Sequence, residues 1–262
     1  VPLEDEAVSA ELHRALRKQG IRVLTGTKLA SAVARPDGVD IEAAGPDGGA
    51  ESIRADYLLV AAGRAPVTDG LGATEAGLRL EHGYIRVDEF FRTPVAGISA
   101  IGDVITLGAP GHPQLAHVST AEGIAVAERI AGQAPRAIDY TRIPSCTYSD
   151  PEISRVGLTE REARDRGYDV SVGLFPFSAV GRAKIAAEIE GFVKIVAEKK
   201  YDEVLGVHII GPRATELIAE ATMALGLEST VEELIRTVHA HPTMSEAVGE
   251  AAHMVRGAAI HI

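Results

Sequence analysis

The stretch "FVKIVAEKKYDEVLGVHIIG", residues 192–211, contains two apolar runs separated by a charged segment. FVKIVAEKK and EVLGVHIIG each have the length and composition of a strand. The segment KKYDE, which joins them, has the polar composition of a turn. Residues 192–211 therefore predict a pair of antiparallel strands, and the fold of the C-terminal part of the chain can be worked out from this pair.

Further strands and helices flank these two runs along the chain. Strands are predicted for IPSCTYS, residues 143–149, and for DVSVGLFPF, residues 169–177. Helices are predicted for TEREARDRG (159–167), ATELIAEATMALGL (214–227) and TVEELIRTV (230–238). Antiparallel strands mixed with helices are typical of the α+β class. We therefore expect an α+β unit from about residue 139 onward.

The first half of the chain has a pattern typical of α/β proteins instead. DEAVSAELHRALRKQ, residues 5–19, places its apolar residues on one helical face, and IRVLTG, residues 21–26, follows as a predicted strand. YLLVAAG, residues 57–63, and GISAIGD, residues 97–103, are apolar runs of the kind found in strands buried on both faces of a parallel sheet. Between residues 26 and 57, alternation and PDG turns over residues 33–52 predict a small antiparallel excursion.

Composition excludes several classes of function. A net charge of −11 over 262 residues argues against nucleic acids and anionic membranes as partners. The longest apolar runs are too short for a transmembrane helix. Cys146 is the single cysteine, so the chain cannot form an internal disulfide, and its composition fits the reducing cytoplasm.

Asp103 ends one of the predicted buried strands and precedes a loop rich in Gly and Pro, residues 104–113, and a predicted helix, residues 114–130. Open α/β sheets bind ligands at the carboxyl ends of their strands, and a helix N-terminus offers N–H donors to an anionic group. Asp103 is therefore either part of a cofactor site or a residue that caps its loop. Gly63, which ends the other strand, either admits a nucleotide close to the backbone or forms a plain turn. The chain contains no Gly-x-Gly-x-x-Gly fingerprint.

Two histidines, His239 and His241, lie close together in RTVHAHPTMSEAVGEAA, residues 236–252. A metal site is disfavoured because no further ligand has a recognisable spacing. Pro242 keeps His241 out of the helical conformation, and Glu246 falls in the first turn of the predicted helix that follows, with Thr243 or Ser245 as its cap. The residues leave two interpretations open: a structural pair of histidines, or an acid/base pair of His241 with Glu246.

Six stretches of the chain resemble the flavin-dependent pyridine nucleotide-disulfide oxidoreductases in order and spacing. They are YLLVAAGRAP, GISAIGDV, QLAHVSTAEG, PSCTYSDPEISRVGLTE, VKIVAEKKYDEVLGVHIIGPRATELI and HAHPTMSEA. Within the family the closest resemblance is to the dihydrolipoamide dehydrogenases, which pass electrons from dihydrolipoamide through a redox disulfide and FAD to NAD. The implied fold is α/β plus α+β: the remnants of Rossmann-like domains that bind FAD and NAD(P), followed by the α+β dimerisation domain.

The resemblance also implies domain limits and site residues. Residues 1–66 would be the C-terminal part of an NAD-binding domain, residues 67–138 that of the FAD-binding domain, and residues 139–262 the dimerisation domain. His241 would be the catalytic base that handles the lipoyl thiol, Glu246 would orient it, and His239 would be structural. The implied cofactor contacts are Asp103 with the FAD ribityl chain, Gln114, Leu115, Ala116 and His117 with the flavin, and Gly63 and Leu29 with NAD. The implied assembly is a homodimer that serves lipoyl domains of a 2-oxo acid dehydrogenase complex.

Three features of the family are not found in these 262 residues: the two glycine fingerprints and the redox cysteine pair. We therefore expect the C-terminal part of a longer enzyme, which alone would be colourless, dimeric and inactive. The alternatives are a non-catalytic dimerising fragment, or the back half of a mercuric reductase, a glutathione reductase or a transhydrogenase. The tail RGAAIHI lacks the terminal cysteine pair of mercuric reductases, which disfavours that alternative.

Overall fold

The computed structural model describes residues 1–108 and 112–262. The centre of the predicted loop over residues 104–113 lies outside these ranges. The chain forms two compact units, one made of Leu16–Ala65 and the other of Val1–Ala15 together with Pro66–Ile262.

The first helix, α1, runs over Glu6–Lys18, as the sequence predicts. Its buried residues are Val8, Leu12 and Ala15, which lie on the face that the apolar spacing indicates. The acidic first turn and basic last turn suit the helix dipole.

Residues 16–65 contain a three-stranded antiparallel sheet in the order β1-β2-β3. The strands are β1, Lys28–Arg35; β2, Gly38–Ala44; and β3, Ala50–Ala55. The turn between β1 and β2 needs a glycine at position 38, because its φ is +142° and a Cβ there would overlap the carbonyl oxygen of Ala55. The predicted antiparallel excursion is confirmed.

The three strands predicted at residues 21–26, 57–63 and 97–103 are wrong. A strand buried within a parallel sheet needs a hydrogen-bonded strand on each side, and the described residues place no parallel strand beside any of these segments. Tyr57 and Leu59, which the pattern would bury, are 91% and 86% exposed. Residues 97–103 instead form one bridge, between Arg92 and Ser99, and then a 3₁₀ turn over Gly102–Val104.

A second small sheet has the order β4-β5-β6, with β5 and β6 parallel. The strands are β4, Leu80–Glu81; β5, Tyr84–Arg86; and β6, Ile105–Thr106. Ile85, Val87, Phe91 and Ile105 form a buried cluster, against which helix α2, Ala116–Ile130, packs through Ala125 and Val126. The helix predicted over residues 114–130 is thus confirmed, beginning two residues later.

The C-terminal part is built on a five-stranded antiparallel sheet in the order β7-β8-β11-β10-β9. The strands are β7, Ser145–Thr147; β8, Ile153–Gly157; β9, Val170–Pro176; β10, Phe192–Glu198; and β11, Val204–Ile210. β10 and β11 form the predicted hairpin and are buried along their whole length. β8 was not predicted, since five residues between two turns give little pattern.

Helices cover both faces of this sheet. They are α3, Glu160–Asp165; α4, Gly181–Ala186; α5, Ala214–Gly226; α6, Val231–Arg236; and α7, Glu246–Val255. α5 contacts β8 and β11, while α7 contacts β9 and β10. The α+β prediction is confirmed, although the short helix α4 was not predicted. None of the helices in the described ranges has the length and apolar character needed to cross a bilayer.

Candidate functional site

His241 lies on the irregular segment between α6 and α7, and its imidazole is held by the first residue of α7. His241 Nδ1 lies 2.8 Å from Glu246 Oε1. Glu246 Oε2 accepts the backbone N–H of Thr243 at 2.9 Å. The His241 side chain remains 74% exposed, whereas that of Glu246 is largely buried. The pair therefore presents Nε2 of the imidazole to solvent while Nδ1 is held from behind.

The surroundings of Glu246 keep it anionic. Burial alone would raise its pKa, but the hydrogen bonds from His241 and Thr243 and the charges of His241 and His261 outweigh this and lower the pKa. The helix dipole also favours a negative charge at the first residue of α7. A carboxylate at Nδ1 selects the Nδ1–H tautomer, which leaves the Nε2 lone pair free to accept a proton.

The predicted caps of α7 are wrong. Ser245 precedes the helix but makes no side-chain cap hydrogen bond. The Thr243 hydroxyl donates to the carbonyl oxygen of Ala240 at 2.6 Å and lies 2.9 Å from Ser245 Oγ. These side chains close the turn before α7 and so do not reach the free N–H groups of its first turn.

His239 has different contacts from His241. Its Nε2 lies 2.7 Å from Glu220 Oε1 on α5, and its side chain is only 11% exposed. The hydrogen bond from His239 to Glu220 raises the pKa of the imidazole. In residues 1–108 and 112–262 no group of three or more His, Cys, Asp or Glu side chains is arranged to hold a metal ion.

Asp103 lies in the 3₁₀ turn Gly102–Val104, which side chains hold from two directions. Gln114 Nε2 donates to the Asp103 carbonyl oxygen at 3.1 Å. The N–H of Gly102 donates to Glu122 Oε2 at 2.6 Å, and Glu122 is fully buried on α2. Glu122 was not predicted as a site residue, although its position four residues after Val118 places it on the same, buried face of α2.

The N-terminus of α2 adjoins this turn. Leu115 precedes the helix without a side-chain cap, and Ala116 and His117 begin it on its exposed side. His117 Nε2 bonds to the carbonyl oxygen of Pro144 at 2.9 Å, so the His117 side chain faces the C-terminal domain. The backbone N–H groups of this first turn are suited to an electronegative ring edge, since a helix N-terminus carries partial positive charge.

Leu29 and Gly63 lie in the unit of residues 16–65, and both are exposed. Leu29 is next to an irregularity in the pairing of β1 with β2. Gly63 has a φ of +85°, and a Cβ there would meet nothing within 4 Å. The glycine is thus explained by its backbone conformation rather than by a close approach within the described chain.

Two family models match the chain. Residues 1–123 match the pyridine nucleotide-disulphide oxidoreductase family model. Residues 143–252 match the model of the dimerisation domain of the same oxidoreductases.

Curated relatives align along the whole chain. The dihydrolipoyl dehydrogenase of Bacillus subtilis is 43% identical over 263 residues, which is 100% of this chain and 54% of that protein. The dihydrolipoyl dehydrogenase of Thermus scotoductus is 44% identical over 264 residues, 100% of this chain and 56% of its own length. The chain therefore spans about half the length of the curated relatives it matches.

Solved structures share the fold. LpdA from Mycobacterium tuberculosis superposes with a TM-score of 0.85 at 28% identity, over 96% of this chain and 53% of that one. The flavoprotein disulfide reductase RclA from Escherichia coli superposes with a TM-score of 0.87 at 26% identity, over 97% of this chain and 57% of its own. Two family models, relatives along the full chain and the shared fold lead to one conclusion: the chain belongs to the pyridine nucleotide-disulphide oxidoreductases.

Proposed function

We propose that this chain supplies the acid/base residues, part of the FAD and NAD sites and the dimerisation domain of a dihydrolipoyl dehydrogenase, which oxidises dihydrolipoamide and reduces NAD. The observation that carries the proposal is the pair of His241 Nδ1 and Glu246 Oε1 at 2.8 Å, with the rest of the imidazole exposed. The identity of 43 to 44% with dihydrolipoyl dehydrogenases supports the choice of substrate.

In this proposal His241 acts as the base for a dithiol substrate. Its Nε2 accepts the proton of a thiol, which becomes the thiolate that attacks a disulfide. Glu246 stays anionic and stabilises the imidazolium that results. The imidazolium then returns its proton to the thiolate that leaves, so the base is regenerated.

The FAD contacts would come from Asp103 toward the ribityl chain and from the N-terminus of α2 toward the ring, through the backbone of Gln114, Leu115, Ala116 and His117. The uncapped first turn of α2 fits the electronegative edge of a flavin. Bound flavin would supply the hydride transfer to and from a nicotinamide that no side chain offers. Gly63 and Leu29 would contact NAD from the unit of residues 16–65.

The proposed assembly is a homodimer through residues 139–262, which contain the matched dimerisation domain. The base of one subunit would serve the disulfide and flavin of its partner. Lipoyl domains of a 2-oxo acid dehydrogenase complex would deliver the substrate. We place the enzyme in the cytoplasm, because a chain with Cys146 as its one cysteine fits a reducing compartment.

Two alternatives lead to different measurements. With one cysteine, the 262 residues do not contain the disulfide that the reaction needs, so the chain alone would be a dimerising but inactive protein. A related flavoprotein reductase, of the mercuric reductase, glutathione reductase or transhydrogenase type, would keep the fold and change the substrate. RclA, at 26% identity, shows that this fold also occurs in a flavoprotein disulfide reductase that is induced by HOCl.

Replacing His241 by Gln in the full-length enzyme tests the proposal. We expect the oxidation of dihydrolipoamide to slow by about 100- to 10,000-fold, because general-base catalysis is lost. Reduction of a dye by NADH through the flavin should stay near normal, and stopped-flow measurement of both half-reactions separates the two. His13→Gln, on α1, is the control. Equal slowing of both half-reactions would reject His241 as the base.

A further inference from the structure

His239 is a buried imidazole fixed at both ends of its ring. On one side, Nε2 bonds to Glu220 Oε1 on α5 at 2.7 Å. On the other, the ring lies against the backbone of α7, where a Cβ on Gly249 would be 2.9 Å from Nδ1 and 3.0 Å from Cε1. A glycine on α7 thus leaves the space that the imidazole fills. The ring lies between α5 and α7, which both pack on the five-stranded sheet.

The segment that carries His241 has few other attachments. It has no regular secondary structure from residue 238 to 243, and Val238 is almost fully exposed. The hydroxyl of Thr243 closes a turn onto Ala240, but this bond lies within the segment itself. His241 contacts the fold through Glu246 and is otherwise exposed. The buried side chain nearest to His241 along this segment is therefore that of His239.

We propose that His239, held between Glu220 and Gly249, is a positioning residue for His241: it fixes the segment so that His241 Nδ1 meets Glu246. The functional importance of this contact rests on the role proposed for His241. One alanine separates the two histidines, so a shift of His239 moves the backbone of His241 directly. His239 itself faces a helix and stays out of contact with substrate.

Electrostatics support the arrangement. The Glu220 carboxylate raises the pKa of His239, so the pair gains the strength of a charge-assisted hydrogen bond when the imidazole is protonated. Deprotonation at higher pH weakens that bond. The negative charge of Glu246 also raises the pKa of His239.

The tautomer of His241 reports the contact directly. Nitrogen-15 NMR of histidine-labelled chain, at a pH where His241 is neutral, measures the ratio of its Nδ1–H to its Nε2–H form. The bond to Glu246 favours Nδ1–H. We expect Glu220→Ala and Gly249→Ala each to lower this ratio about tenfold, the size expected when a charge-assisted hydrogen bond is lost.

Three further variants separate positioning from general damage. Glu220→Gln keeps an acceptor oxygen for Nε2 and should preserve the ratio. Gly226→Ala on α5 adds the same methyl group where a Cβ meets nothing within 4 Å, and should leave the ratio unchanged. Glu246→Gln is the reference variant: it gives the tautomer ratio of His241 when no carboxylate bonds to Nδ1.

An unchanged ratio in both Glu220→Ala and Gly249→Ala would overturn the proposal. Should Gly249→Ala fail to fold, Glu220→Ala decides alone, because Glu220 is partly exposed at the helix surface. The measurement needs no disulfide or flavin, so its failure leaves the role of His241 untouched. Conversely, an altered ratio together with normal dihydrolipoamide oxidation in His241→Gln would reject the proposed function and leave the positioning contact intact.

Discussion

In the part of the chain that the structure describes, four glutamates each bond to a histidine ring at 2.7 or 2.8 Å: Glu122 to His112, Glu220 to His239, Glu246 to His241 and Glu250 to His261. They differ in exposure. The rings of His112 and His239 are buried, which suits a structural role, whereas those of His241 and His261 are mostly exposed. Glu246 lies five positions after His241, so this contact could be predicted from spacing. The other pairs are ten or more residues apart and depend on the fold.

Glu122 is a buried carboxylate whose removal should cost stability. It is fully buried and accepts from Gly102 N–H, Tyr140 Oη and His112. Glu122→Gln should lower the free energy of unfolding by about 1–3 kcal/mol, because a buried network loses its charged acceptor. Urea unfolding followed by circular dichroism measures this, with Glu128→Gln on the same helix as the control.

The effect of Glu122 should also depend on pH. Burial would raise its pKa, but the hydrogen bonds from His112, Tyr140 and Gly102 lower it below the usual 4.5. A lowered pKa in the folded state stabilises the fold above about pH 4.5, and this contribution is lost as the pH falls through the folded value. The difference between wild type and Glu122→Gln should therefore shrink in acid. A constant difference from pH 7 to pH 3 would contradict the assignment.

Among the elements, α7 can pack closely on β9 only because residue 173 is a glycine. A Cβ on Gly173 would overlap the carbonyl oxygen of Ala251 and the backbone nitrogen of Val255. Gly173→Ala should therefore destabilise the chain by about 1–3 kcal/mol or more, since neither α7 nor the sheet can move without disturbing the core. Thermal and urea unfolding test this.

Leu174→Ala is the matched control for Gly173→Ala. Leu174 is the next residue of β9, faces the other side of the sheet and is exposed. We expect its effect to stay within about 0.5 kcal/mol. Equal losses in the two variants would show that β9 tolerates substitution poorly in general and that α7 packing is not the cause.

The elements also show which sequence patterns could be trusted. β10 and β11 could be predicted from their long apolar runs, and α5 from its helical period. Both patterns match the burial that the structure shows for these elements. YLLVAAG has the same apolar character as β10 but lies exposed, because the described residues place no strand beside it. An apolar pattern indicates that a segment can form a buried strand, but the strand forms only where neighbouring strands can pair with it.

At the scale of the whole molecule, dimerisation can be tested without a cofactor. The part beyond residue 139 exposes several large apolar side chains, among them Tyr148, Ile185, Met223, Leu227 and Val238. These side chains lie in the range that matches the dimerisation domain, residues 143–252, so we expect apolar burial to contribute to the interface. We expect sedimentation at micromolar concentration to give twice the mass of one chain.

High salt distinguishes the source of this association. A dimer held by apolar burial should persist at 1 M salt, where the Debye length falls to about 3 Å and exposed charges are screened. A monomer at micromolar concentration, in low or high salt, would contradict the proposed assembly.

Sequence alone determined the antiparallel hairpin of residues 192–211, the α+β class of the C-terminal part, and the adjacency of His241 and Glu246. These depend on contacts between residues that are near in sequence, where period and spacing fix geometry. Tertiary structure decided which histidine is buried, that Glu220 and Gly249 enclose His239, and that Glu122 anchors the turn at Asp103. Those contacts join residues on separate elements, and burial, which sets their strength, is a property of the packed chain.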